Sequence, residues 1–301
     1  MRAGADVGLM PSLTSATPPS DAPGPGAPQR PPARRSGLLL AVSLLFALPM
    51  LLLVLAPLRP PGLPPPIEFD LWLEEVSLQS FRDAFSLVPF GRALWNSAWV
   101  CAVAVPLTLL TASWAGLALV LLEGRARIAL GGLLLVLAMV PVTAIWIPRF
   151  ALFNLLGLVG THVPLIAPAL MGANPLFVLL YFVAMRRIPR EVLEAARLEG
   201  AGILRVWWRI VMPQVRPTTA AIGLLAVVAF WGNFIDPLLY LREERDLTAP
   251  AMLQSLELLG STNWSVFLAG ALVITVPVVL AFVVAQRFLS SLERGSGWTG
   301  R

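Results

Sequence analysis

Arg186-Arg187-Ile188-Pro189-Arg190-Glu191-Val192-Leu193-Glu194-Ala195-Ala196-Arg197-Leu198-Glu199-Gly200-Ala201-Gly202-Ile203-Leu204-Arg205-Val206-Trp207-Trp208-Arg209-Ile210-Val211-Met212-Pro213-Gln214-Val215-Arg216-Pro217 is a charged stretch set between long apolar runs. Pro189 suits a helix start, the Glu residues follow in the first turns where the helix dipole favours them, and Leu193, Ala196 and Leu198 supply an apolar side. A short helix over about 190–199 is expected. Gly200 and Gly202 end it, because glycine readily takes the left-handed conformation that redirects a chain. A second short helix follows over 203–211, and Pro213 and Pro217 punctuate what comes next. A helix–glycine–helix that offers Ala, Leu and two Trp has a shape suited to filling a groove on another protein.

The flanks of this stretch decide the class. The chain has 301 residues, 57% hydrophobic and only 13% charged, with a mean hydropathy of +0.78, whereas soluble domains carry roughly a quarter charged residues. A soluble globular protein is excluded, and an all-α polytopic membrane protein is expected. Six apolar spans are read at 37–58, 94–122, 128–148, 163–185, 218–241 and 266–288. The first extends ~33 Å at 1.5 Å per residue, enough to cross a bilayer and longer than a secretory signal core.

Domain organisation follows: a Pro/Ala-rich disordered tail over 1–36, a membrane domain over 37–292 that contains the loop 186–217, and a C-terminal tail over 293–301. Between the first two spans, a Pro-rich connector (Pro60, Pro61, Pro64, Pro65, Pro66) leads into Phe69–Leu73 and Ser80–Phe85, expected as short amphipathic helices at the interface. With the N-terminus in the cytoplasm, 16 of the 22 Arg fall inside, and the acids gather outside. This positive-inside bias puts both termini in the cytoplasm and accounts for the basic pI without nucleic acid.

Several chemistries are excluded. All 22 basic residues are Arg, so the Lys-dependent phosphate-binding loop of ATPases is missing. One Cys, Cys101, cannot form an internal disulfide, and one His, His162, cannot build a His-based metal site. No constellation of His, Cys or paired carboxylates for a membrane enzyme is present.

The spacing Glu194-Ala195-Ala196-x3-Gly200-x9-Ile210-x-Met212-Pro213 resembles the Glu-Ala-Ala-x3-Gly-x9-Ile-x-Leu-Pro pattern of permease subunits in bacterial ATP-binding-cassette (ABC) importers. Asn96-Ser97, Ile188-Pro189-Arg190-Glu191, Trp231-Gly232-Asn233-Phe234-Ile235-Asp236-Pro237-Leu238 and Gln286-Arg287-Phe288 are similar to landmarks of the carbohydrate branch, in particular its maltose-permease G-like subunits. Met212, Glu199, Gly232 and the C-terminal residues 295–301 depart from that branch. The resemblance implies a type-I importer permease fold. It implies assembly with a second, related permease as a heterodimer, with two ABC ATPase copies that use ATP and Mg, and with an extracytoplasmic solute-binding protein; this chain itself binds no cofactor.

On that resemblance, the loop 190–213 docks on the ATPase through Glu194, Ala195, Ala196, Gly200, Ala201, Trp207, Ile210 and Pro213. Glu194 is assigned to a charged contact and Gly200 to the bend. Trp207 and Trp208 are either docking anchors or interfacial belt residues. Trp231, Asn233 and Asp236 are candidates for the substrate path; Asn233 and Asp236 lie one helical turn apart, and the competing reading is an interhelical hydrogen bond or a solvated acid near the outer surface. Arg149 and His162 are read as ordinary interfacial groups. The outer stretch 242–265 is expected to project toward the binding protein or to form a solvated turn. The solute follows from none of this: a glycerol-phosphate, a polyamine or a peptide is the alternative to a sugar, and a self-sufficient channel or carrier is the reading outside the ABC class.

Overall fold

A computed structural model describes residues 33–62, 65 and 75–295, with side chains over 42–62, 65, 75–260 and 262–287. The expected tail over 1–32, the helix at Phe69–Leu73, most of the Pro-rich connector and residues 296–301 lie outside the described residues. By its contacts the chain divides after Leu48, within α1 (Ala33–Leu55). Helix α1 begins four residues before the expected start of the first span.

The described residues are helical, with no strand among them. After α1 come α2 (Gln79–Ser86), α3 (Phe90–Leu121), α4 (Gly124–Met139) and α5 (Trp146–Leu155). Then follow α6 (Val163–Ile166), α7 (Pro175–Met185), α8 (Arg190–Leu198), α9 (Ile203–Val206) and α10 (Met212–Gln214). The chain closes with α11 (Arg216–Trp231), α12 (Ile235–Tyr240), α13 (Ala249–Glu257) and α14 (Trp264–Gly295). Among the described residues three helical stretches are long and apolar enough to cross a membrane: Phe90–Leu121, Val163–Met185 and Trp264–Arg287. The number rises to five when each of two sharply bent pairs counts as one span.

The bends correct the expected spans. The run over 128–148 is not one helix: α4 stops at Met139, and the chain turns by 92° into the Val142–Leu155 segment. Pro141 cannot donate to the helix and forces Val140 out of the helical region, to ψ 121°. The run over 218–241 breaks after Trp231. Asn233 Oδ1 accepts the Asp236 backbone N–H at 3.2 Å, which starts α12 and satisfies a donor that a helix N-terminus leaves bare. The run over 163–185 is interrupted by Gly172 and Ala173, both at positive φ, and restarts at Asn174, whose Oδ1 accepts from the Leu176 N–H at 2.9 Å.

Helix α3 is the spine. Ala104, Thr108, Ala112 and Gly116, spaced four apart, are all buried, so one stripe of small residues lets α7 and α11 approach closely. The core gathers there around Tyr181, Met185 and Ile222. A second cluster joins Ala84, Phe90, Met252, Leu256 and Val266, from α2, α3, α13 and α14. A methyl group added at Gly116 would stand 2.7 Å from Tyr181 Cβ and 3.1 Å from the Phe182 backbone nitrogen. Neither can swing away, so Gly116→Ala is expected to cost about 1–3 kcal/mol by overpacking. Thermal unfolding in detergent checks this; a variant as stable as the parent would show that α3 and α7 are further apart than described.

Three side chains hold the 242–249 segment on this frame. Asn96 Nδ2 donates to the carbonyls of Arg245 and Leu247, both at 3.0 Å, and Ser97 Oγ accepts the Ala249 N–H at 2.8 Å, capping α13. His162 Nε2 lies 2.8 Å from the Asp246 carbonyl. The segment is therefore tied down by three side chains while Arg242, Glu243, Glu244 and Arg245 stay exposed, and α13 buries Ala249, Ala251, Met252 and Leu256.

Candidate functional site

The first candidate surface is the polar element between α7 and α11. Helix α8 follows Pro189, carries Glu191 in its first turn and Arg197 in its last, and so has charges placed to suit its dipole at both ends. It stops as expected at Gly200, which sits at φ +78°. The Ala201 N–H donates to the Ala196 carbonyl and the Gly200 N–H to the Arg197 carbonyl, each at 2.9 Å, the paired closure that a left-handed glycine allows. No atom beyond the chain neighbours lies within 4 Å of a Cβ built on Gly200, so its requirement is conformational and its surface is open.

The faces sort differently from the simple apolar count. Leu193 and Ala196 turn into the chain's own core, while Leu198 is 90% exposed. Glu194, Ala195 and Gly200 are exposed; Ala201, Ile210 and Pro213 are half-buried. The two tryptophans part company. Trp208 is exposed, whereas Trp207 is buried, donates its indole N–H to Ser113 Oγ of α3 at 3.2 Å, and meets the Trp114 ring edge-on at 5.7 Å. Trp207 therefore anchors the element to α3 and does not reach outward. It belongs to a π-helical segment, Trp207–Val211, a wider turn of the kind that appears in single-turn pieces within helices. Beyond it the chain bends by 87° between Ile203–Gln214 and α11, at the buried Val215.

The second candidate is the polar group at the break of the fifth apolar run. Asp236 Oδ2 accepts from Arg149 Nη2 at 2.7 Å and from Asn233 Nδ2 at 3.0 Å. Arg149 Nε also donates to the Tyr240 hydroxyl at 3.0 Å, and its guanidinium carbon lies 5.2 Å from that ring's centre. Phe150 and Phe153 complete an aromatic wall around Tyr240. Arg149 is thus no ordinary interfacial group, and Asp236 is neither solvated nor alone. Their pairing joins residues 87 positions apart, which no local pattern announces. Asp236 Oδ1 is buried with no hydrogen-bond partner among the described residues. Trp231 is buried and donates to the Ile274 carbonyl at 2.9 Å; beside Trp95 and Val273 it lines an apolar groove of about 650 Å³. Among the described residues no cluster of His, Cys, Asp or Glu could hold a metal ion.

Residues 104–294 match the family described as the binding-protein-dependent transport system inner membrane component. The chain belongs to that family. It is a permease component of an ABC importer, in which ATP hydrolysis is the task of a separate chain. Among curated relatives, the arabinooligosaccharides transport system permease protein AraQ of Halalkalibacterium halodurans is 32% identical over 201 residues, which is 66% of this chain and 71% of that protein. The lactose transport system permease protein LacG of Rhizobium radiobacter is 29% identical, over 67% of this chain and 74% of that one. The melibiose/raffinose/stachyose import permease protein MelC of Bacillus subtilis is 26% identical, over 74% and 81%. Among solved structures, a bacterial ABC transporter involved in the import of the acidic polysaccharide alginate contains a chain with TM-score 0.71 and 20% identity, covering 87% of this chain and 99% of that one. At that identity the likeness concerns the fold.

Proposed function

We propose that the chain is the six-span permease subunit of an ATP-driven importer of sugars or oligosaccharides in the bacterial inner membrane, with both termini cytoplasmic. It pairs with a second, related permease and assembles with two copies of an ABC ATPase that use ATP and Mg; its 190–213 element docks on the ATPase, and an extracytoplasmic binding protein delivers the solute. The named cargoes of the relatives support the sugar reading. The observation that carries the coupling reading is the division of labour in that element: one face exposes Glu194, Leu198 and Trp208, while Leu193, Ala196 and Trp207 lock the other face into the membrane domain. A docking surface fixed in this way transmits closure of the ATPases to α3 and α11 as a change between two packings. Trp231, Asn233 and Asp236 stand at the break of the fifth run, where they would border the substrate path.

The test is affinity purification of the tagged chain from its host in mild detergent, with Glu194→Arg plus Gly200→Trp as the paired variant. The parent is expected to bring down a P-loop ATPase and a second permease. The variant should lose the ATPase by at least roughly tenfold, since losing one central interface contact costs more than the ~1.4 kcal/mol that a factor of ten requires. Equal ATPase recovery by the variant overturns the docking assignment. A co-isolated binding protein that takes a polyamine or peptide instead of a sugar overturns the solute while leaving the importer in place.

A further inference from the structure

We propose that the cleft between α13 and α14 is a solute-binding pocket for uncharged saccharides, and that Glu257 makes it refuse acidic ones. The proposal rests on the sugar reading above and goes beyond it by naming the contacts and the charge selectivity. The cleft has a volume of about 340 Å³, within the size range of small-ligand sites. Its walls have a periodic origin. Gln254 and Glu257 are three apart on α13 and share a face; Phe267, Ala271 and Thr275 are four apart on α14 and form the facing stripe. Phe234, at the break between α11 and α12, closes one side.

The seam is aliphatic in part, with Pro250, Leu253 and Ile274 along it, and among these it sets two phenyl rings beside an amide, a carboxylate and a hydroxyl. A sugar presents the complementary surface, with C–H faces for the rings and hydroxyls that both donate and accept. Gln254 can do either, and Glu257 accepts only. Thr275 Oγ1 donates to the Ala271 carbonyl at 2.8 Å, so its lone pairs are left to accept. Gln254 and Glu257 are exposed to the cleft's solvent, and Glu257 has no ion-pair partner among the described residues. No Arg lines the cleft. A uronate or sulfonate would therefore meet an uncompensated carboxylate at the cleft wall, a repulsion that discriminates against the wrong solute.

The experiment uses the complete complex in lipid nanodiscs, in a Cys101→Ala background with Ala271→Cys as a reporter on the cleft wall. Maleimide labelling of the reporter is followed with raffinose and with tri-galacturonic acid, and ATPase activity is measured in the same samples with the binding protein present. Raffinose is expected to slow labelling several-fold and tri-galacturonic acid to leave it unchanged. Glu257→Gln should weaken raffinose protection roughly tenfold, the value of a hydrogen bond to a charged group, and should let the acidic sugar protect. Stimulation of the ATPase by a sugar without protection of the reporter overturns the pocket and leaves the importer reading intact. Equal protection by both sugars overturns the selectivity. Absence of stimulation by any sugar in a panel of neutral and acidic oligosaccharides overturns the sugar reading itself, and the pocket with it.

Discussion

Arg149→Met is expected to destabilise the protein by about 3–5 kcal/mol, the cost of leaving one member of a buried ion pair without the other. Both side chains are largely shielded, at 16% and 9% exposure, and the salt bridge is 2.7 Å long. Removing the guanidinium strands the Asp236 carboxylate, one of whose oxygens is already unpartnered, and also takes away the Nε donor to Tyr240. In detergent the apparent Tm should fall by something on the order of 10 °C. The double variant Arg149→Met with Asp236→Leu should recover more than half of that loss, because a well-packed apolar pair is often as stable as the ions it replaces. A single variant as stable as the parent would mean that water reaches the pair.

Trp207→Ala is the second large effect, about 3–5 kcal/mol for emptying a buried aromatic site. The indole fills the space between α3 and the segment after α9, touches Trp114 and bonds Ser113. Trp207→Phe keeps most of the volume and loses only the hydrogen bond, so its cost should be near 1 kcal/mol. The pair separates packing from coupling. If the seating of this ring carries motion from the docking element to α3, Trp207→Ala should lower sugar-driven uptake even at a temperature where it remains folded, with ATPase recovery intact. Uptake scaling only with the amount of folded protein would reduce Trp207 to a packing residue.

The helix–glycine–helix, its end at Gly200 and the apolar runs were legible because each rests on local chemistry: a proline, a dipole, a positive φ, a run of hydrocarbon. The directions of side chains were not. Hydropathy treats Trp207 and Trp208 alike, yet one enters the core and the other does not, because consecutive residues on a helix point about 100° apart. Leu198 counted as part of an apolar side and proved exposed, because five residues carry it about 140° around α8 from the buried Leu193. The bend before Pro141 did have a signal, the restriction that proline places on Val140, but inside an apolar run it reads as a tolerated kink. Arg149 with Asp236, and Asn96 with the carbonyls near Leu247, are products of tertiary proximity, and no local window of sequence contains both halves of either.

Helix α4 has a practical meaning of its own. None of its 16 residues is buried within the chain, and Ile128, Val136 and Met139 are more than half exposed. Its hydrogen bonds close within the helix, so it can remain helical in many surroundings, while its hydrocarbon must be covered by lipid, detergent or another subunit. An ill-chosen detergent will announce itself first as aggregation in size-exclusion chromatography, with the circular dichroism spectrum unchanged; a spectroscopist checking helicity alone would pass a sample that a biochemist should discard.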